Sequence, residues 1–304
     1  MPRPLIQSSL KTAQAPAVGV GLRHAHYQDA LVEASPIDFV EIHAENFFAQ
    51  GGMIQNVLED IVSTYDVSLH STSLGLGSAS GINVEYLTRL KRLADQINPP
   101  LISDHACFTW ARWGEGTIHS GDLLPLEFTP YGLKVLVENV DRVQQFLGRQ
   151  ILVENISTYL KFSRNQIMET DFLVQLAEKT QCGLLMDLNN ILVNGHNFSD
   201  QSPLDYAKQW LKSIPVEHVG EFHLAGSTPA PEGEMLIDDH AMPVSDDGWS
   251  LYEFASQRFV DVPALIEWDN HLPSWQTLLQ QADIARRVHS QYEEEGGQLC
   301  YSIR

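Results

Sequence analysis

Basic residues are scarce in this chain: 19 Lys plus Arg stand against 39 Asp plus Glu in 304 residues, a formal charge of −20. Capture of a phosphate backbone needs clustered Lys and Arg, so a nucleic-acid partner is disfavoured. Cysteine is nearly as rare. Cys107, Cys182 and Cys300 show no CxxC spacing and are odd in number, which argues against a disulfide framework and fits a reducing, cytoplasmic setting. The NxS sequons at Asn155 and Asn197 are then chance matches. No apolar run approaches the ~20 residues needed to span a bilayer, and MPRPLIQSSLKTAQAP lacks the apolar core of a signal peptide. No membrane partner is expected. No linker or low-complexity tract interrupts the chain, so a single domain over 1–304 is expected, with a core of about 18–290 and short irregular ends, the tail 293–304 frayed.

Familiar catalytic signatures are missing too. There is no G-x-S-x-G elbow, and Cys107 has no His partner beyond His105. LGLGSASG, residues 74–81, fits neither the dinucleotide nor the Walker pattern, and reads instead as a tight backbone approach near a site.

What is present is an eightfold alternation. Short apolar runs at 18–23, 39–45, 67–70, 101–105, 151–154, 183–187, 219–223 and 265–267 read as parallel strands buried on both faces. Between them lie helical stripes: Ile54, Val57, Leu58, Ile61, Val62 and Tyr65; Leu133, Leu136, Val137, Val140 and Leu147; Trp275, Leu278, Leu279, Ala282 and Ala285. Eight such units predict a (β/α)8 TIM barrel of the α/β class, whose site lies at the C-terminal strand ends; a doubly wound open sheet is the alternative. Long loops at 106–130 and 225–249 are expected on that face, suited to specificity or partner docking.

Six strand ends carry a group able to bind metal: His70, His105, Glu154, Asp187, His223 and Glu267. Any one alone reads equally as a helix cap or a structural residue. Together they would crowd buried carboxylates with no set of Lys or Arg at the same ends to neutralise them, and metal ions supply that charge. Asp238 and His240 form a D-x-H pair, and Asn190 follows Asp187 by three residues and reaches the same place. Asn155 and Asn189 read as groups that orient neighbouring ligands. His43, Glu45 and Asn46, from EIHAEN, face the rim, with His43 and Glu45 pointing the same way by strand alternation. Arg23, His24 and His26 follow the first strand, and one of them is expected to touch substrate. His119, His196, His271 and His289 read as surface residues. A donor set of oxygen and nitrogen without thiolate suits iron, manganese or zinc.

The ordered set GVGLR, EIHAEN, LHSTSLGLGS, SDHACF, DLLP, ILVENIS, MDLNNILV, EFHLAG, IDDH and IEWD resembles the multinuclear non-heme iron-dependent oxidative enzymes, and the likeness runs over about residues 18–285. The wider architecture is similar to xylose-isomerase-like barrels. The resemblance implies two or three iron ions of mixed valence. His70, His105 and Glu154 would hold one; Glu154 would bridge to a second, with Asp187, His223 and Glu267; Asn190, Asp238 and His240 would hold a third. Glu154, Asp187 and Asp238 are the candidate catalytic groups. The implied reaction is dioxygen-dependent oxidation of cysteine in a ribosomally made precursor peptide, performed with a small leader-recognising partner protein as a heterodimer. Competing readings are a metal-dependent sugar isomerase or abasic-site endonuclease on the same barrel, and a non-catalytic metal-binding scaffold. Asn190 stands where the endonucleases would offer a histidine, which weakens that reading.

Overall fold

The computed structural model describes residue 10 and residues 16–32, 35–231 and 233–300, with backbone alone from 289 on. In chain order its elements are β1 (Val18–Gly21), α1 (Tyr27–Val32), β2 (Phe39–His43), α2 (Met53–Thr64), β3 (Asp66–His70), α3 (Val84–Ile97), β4 (Ile102–His105), β5 (Cys107–Trp113) and β6 (Gly116–Pro125). There follow α4 (Pro130–Leu147), β7 (Leu152–Glu154), α5 (Glu169–Thr180), β8 (Gly183–Asp187), α6 (Leu188–Phe198), α7 (Pro203–Lys212) and β9 (Val219–Leu224). The last are β10 (Gly226–Pro229), β11 (Leu236–Met242), α8 (Asp246–Arg258), β12 (Ala264–Ile266) and α9 (Trp275–Cys300).

Parallel pairing closes a barrel in the order β1-β12-β9-β8-β7-β4-β3-β2, the expected TIM barrel rather than an open sheet. The eight apolar runs are its eight strands, displaced at most two residues at their ends. The outward side chains of the strands join the helices in one core that includes Val20, Ile42, Leu69, Val153, Leu184 and Phe222. Helix starts are set by side-chain caps: Asn83, Thr129, Ser202 and Ser245 each accept from a backbone N–H three residues on. The three stripes pack inward, apart from Val62, which is 37% exposed.

The barrel lumen has a floor and a polar ceiling, both products of two-residue alternation. Phe39, Leu101, Leu152, Leu185 and Leu265 form a separate buried apolar cluster. Gly19 leaves room for the Phe39 ring, whose atoms would come within 2.7 Å of an added Cβ. Two residues beyond Leu152, Leu185 and Leu265 on the same face come Glu154, Asp187 and Glu267; four beyond Phe39 and Leu101 come His43 and His105.

The expected long loops are two hairpins, β5–β6 and β10–β11, each an antiparallel two-stranded sheet. Gly114, at φ +59°, makes the β5–β6 turn possible. The LGLG stretch does approach backbone closely, but its partner is this hairpin: Gly77 N donates to the Cys107 carbonyl at 2.8 Å, and a Cβ on Gly77 would come within 3.0 Å of that oxygen. In the backbone α9 runs on to Cys300. No proline stops it, and a nucleated helix propagates at low cost. Residues 1–9, 11–15 and 301–304, and the side chain of His289, lie outside the described residues.

Candidate metal centre

The strand ends bring His70, His105 and Glu154 together, and, beside them, Glu154, Asp187, His223 and Glu267; in each group one ligand atom per residue lies within 4.8 Å of the others. All six residues are buried. Glu154 stands between the groups. Its Oε2 is 3.6 Å from His70 Nε2 and 3.4 Å from His105 Nε2. Its Oε1 is 3.8 Å from His223 Nδ1, which also lies 2.9 Å from Glu267 Oε2. The separations around Glu154 leave space between facing donors, and Glu154 Oε2 has no hydrogen-bond partner, whereas His223 Nδ1 and Glu267 Oε2 are joined by a hydrogen bond.

The third set comes from α6 and β11. Asp187 caps α6 by accepting from Asn190 N at 2.7 Å through Oδ1, which leaves Oδ2 unpartnered, 3.6 Å from His240 Nε2. His240 Nε2 is 2.7 Å from Asp238 Oδ1. Asn190 donates to the Asn155 carbonyl at 3.1 Å and keeps a buried, unpartnered Oδ1. His240 sits at φ +47°, a left-handed conformation that costs a non-glycine residue roughly 1–3 kcal/mol and recurs at functional sites.

Asn155 and Asn189 hydrogen-bond to residues of the centre. Asn155 donates to the Asp187 carbonyl and accepts from its N–H, both at 3.0 Å. Asn189 donates to Asp238 Oδ1 at 2.7 Å. His43 lines the cavity over the centre, its Nε2 unpartnered.

Four side chains lie other than the sequence suggested. Glu45 does not point with His43, because the chain leaves β2 for a 3-10 turn, Ala44–Phe47, and alternation ends there. Its carboxylate accepts from Thr72 N at 2.8 Å and from the Tyr86 hydroxyl, away from the centre. Asn46 is exposed on the same turn. His26 is buried against Trp275, pairs through Nε2 with the Pro273 carbonyl at 2.9 Å, and is not among the residues that line the cavity over the centre. His119 is also not a simple surface residue; its ring packs edge-on to Trp110 at 4.7 Å.

Arg23 supplies the positive charge that the strand ends were expected to lack. Its Nε donates to Asp269 Oδ1 at 2.6 Å and an NH2 reaches Glu267 Oε1 at 3.4 Å. Asp269, Glu41 and Glu221 escaped the sequence reading. For the latter two a signal existed: in FVEIH and GEFH each acid precedes an inward-facing histidine by two residues and so shares its face.

The charge balance of the centre is poor without a cation. Burial pushes Glu154 up to about 8 and Asp187 up to about 7, with neighbouring carboxylates adding to the effect. Burial holds His70 well below the usual histidine range. Burial would also lower His105, but Glu154 beside it prevails and raises it to about 9. Glu267 goes the other way: burial favours its neutral form, yet His240 and His223 hold it well below the carboxylate range. Unpartnered oxygens, clustered imidazoles and proton-retaining carboxylates are what a metal ion would relieve. The donor set fits iron, manganese or zinc, and the orphaned atoms are the ligands such an ion needs.

A cavity of about 350 Å³ opens over the centre, walled by Leu123, Leu124 and Pro125 of β6, the 157–160 segment and His240.

Residues 17–290 match the family model described as RiPP precursor modification enzyme MbnB/TglH/ChrH. A UPF0276 protein of Caulobacter vibrioides is 40% identical over 269 residues, 88% of this chain and 92% of that one. A UPF0276 protein of Acaryochloris marina is 41% identical over 268 residues, with the same coverage of both chains. Among solved structures, a xylose isomerase domain containing protein from Salmonella typhimurium gives a TM-score of 0.57 at 14% identity, covering 92% of this chain and 98% of that one. Endonuclease IV from Thermus thermophilus gives 0.56 at 15% identity, covering 92% and 100%. At such identities these two structures establish the xylose-isomerase-like barrel and nothing further.

Proposed function

The chain belongs to the MbnB/TglH/ChrH family of RiPP precursor modification enzymes, and from that premise we propose that it oxidises cysteine in a ribosomally synthesised precursor peptide, using iron and dioxygen. The observation that carries this reading is Glu154, a single buried carboxylate whose two oxygens face two separate ligand groups. That arrangement suits a multinuclear centre better than one isolated ion.

On this reading His70, His105 and Glu154 hold one iron, and Glu154, Asp187, His223 and Glu267 a second. Asn190, Asp238 and His240 serve a third. Iron of mixed valence would supply a redox couple for dioxygen and a Lewis acid that lowers the pKa of a thiol. The chain's own residues set the stage. Asn155 and Asn189 fix Asp187 and Asp238, Arg23 steadies Glu267, and His43 presents an unpartnered Nε2 to the cavity. Residues 123–125 and 157–160 wall the cavity.

A small leader-recognising partner would dock on the catalytic face as a heterodimer. The tip of the β5–β6 hairpin, whose second strand ends in the cavity wall, offers Trp113, 77% exposed, and Ile118, 51% exposed. On strand alternation both share a face with Ala111, which pairs with Ile118. We place the protein in the cytoplasm as one working domain. Its free thiols Cys107 and Cys182 fit a reducing compartment, and no described helix is long and apolar enough to cross a membrane.

The test is anaerobic purification with metal analysis, followed by oxygen uptake and peptide mass spectrometry with partner and a cysteine-containing precursor present. More than one iron per chain and a peptide mass change that requires dioxygen are expected. Stoichiometric zinc with no oxygen consumption, or cleavage of abasic DNA, would sink the proposal.

A further inference from the structure

Below the proposed centre the barrel lumen holds acidic side chains that the family reading does not use. Glu41 on β2 and Glu221 on β9 are fully buried, and with His223 they form a group whose ligand atoms lie within 4.8 Å. Glu41 Oε2 is 3.4 Å from His223 Nε2 and 3.5 Å from the Ser68 hydroxyl, which donates to it. Glu41 Oε1, both oxygens of Glu221 and His223 Nε2 have no hydrogen-bond partner.

The ring of His223 spans two compartments. Nδ1 is hydrogen-bonded to Glu267 Oε2 at 2.9 Å and faces Glu154 above, while Nε2, with no hydrogen-bond partner, faces Glu41 Oε2 at 3.4 Å below. A neutral imidazole carries one N–H, so a metal-binding lone pair on Nδ1 requires the proton to sit on Nε2. A carboxylate behind the ring is the acceptor that stabilises this tautomer and raises the ligand's basicity. We propose that Glu41 is a positioning residue: it accepts the Nε2–H of His223 and so keeps Nδ1 aimed at the Glu154–Asp187–Glu267 group. The inference rests on the metal-centre reading above, but not on iron, dioxygen or peptide.

A cation held by Glu41, Glu221 and Nε2 is the rival account. It would require His223 to give up both ring protons and bridge two ions, and the Ser68 hydroxyl already donates into the Glu41 carboxylate. Donation of Nε2–H to Glu41 across the 3.4 Å contact needs neither an extra ion nor a doubly deprotonated ring.

The protein is loaded with zinc alone and examined by long-range ¹H–¹⁵N NMR, with no peptide or oxygen. His223 should be protonated at Nε2 and metal-shifted at Nδ1; a metal-shifted Nε2 overturns the proposal. In parallel, Glu41→Gln should weaken metal at the His223 group by about 10–100-fold, as second-layer carboxylates do. The His70–His105 group should move by less than about threefold. Equal loss at both groups, or none at either, overturns the proposal, as does loss of one further metal equivalent in Glu221→Gln. Should Glu41→Gln fail to fold, the tautomer in the unaltered protein still decides. Zinc binding with the stated tautomer and no oxidase activity would sink the oxidative reading and leave Glu41 in place; failure to bind any metal would sink both.

Discussion

Glu154 and His223 meet across the barrel lumen, with Oε1 of the first 3.8 Å from Nδ1 of the second, while the other oxygen of Glu154 faces His70 and His105. A carboxylate placed between two groups is the point at which they become one centre. Glu154→Ala is therefore expected to remove metal from both groups, whereas His70→Ala should empty only one. Elemental analysis of the two variants, purified alike, decides the matter. Retention of full metal by Glu154→Ala would sink the bridging role.

Removing Arg23 tests the counter-charge. Its guanidinium is buried between Asp269 and Glu267, and loss of one partner from a buried ion pair typically costs about 3–5 kcal/mol. Arg23→Met should lower the denaturation midpoint of metal-free protein strongly, and added metal should restore part of the loss by neutralising Glu267 in its place. An unchanged midpoint in metal-free protein would show that Arg23 is not needed there.

The barrel and most of its rim were legible because parallel strands buried on both faces read as apolar runs, and their C-terminal ends are then fixed in sequence. His70, His105, Glu154, Asp187, His223 and Glu267 all follow from that rule and all meet. What failed lay one step outside it. Glu45 was lost to a 3-10 turn that no alternation predicts, and His26 to a carbonyl 247 residues away. Arg23 stands before the first helix, where its pairing with Asp269 and Glu267 is a tertiary fact invisible to local pattern. Glu41 and Glu221 could have been found by pushing the same two-residue period one layer deeper. The β5–β6 hairpin had its own signal in Trp113-Gly114-Glu115-Gly116, a turn between two extended runs.

Glu169 offers a pH test away from the centre. It opens α5, accepts from Trp210 Nε1 at 3.1 Å, and is pushed up by burial from 4.5 to about 7. A carboxyl whose folded value is raised keeps a proton that the unfolded chain has released, so stability falls as pH rises from 4.5 through about 7. Glu169→Gln should flatten that decline, making the variant relatively more stable at the alkaline end. Urea midpoints measured across the interval check this, and parallel curves for the two proteins would sink it.

Metal uptake should carry its own pH signature. In metal-free protein burial raises Glu154 to about 8 and Asp187 to about 7, and Glu154 raises His105 to about 9 against the effect of burial. A metal must displace whatever protons these groups hold, so affinity falls as pH falls, by roughly tenfold per unit for each proton displaced. Since Glu154, Asp187 and His105 all hold protons below about 7, the logarithm of the dissociation constant should there change by more than one per pH unit. Titrations with zinc alone in two buffers of different protonation enthalpy would count the released protons directly. A flat dependence would mean that the centre is already ionised when empty, and the balance of charge would then rest on Arg23, His223 and His240 alone.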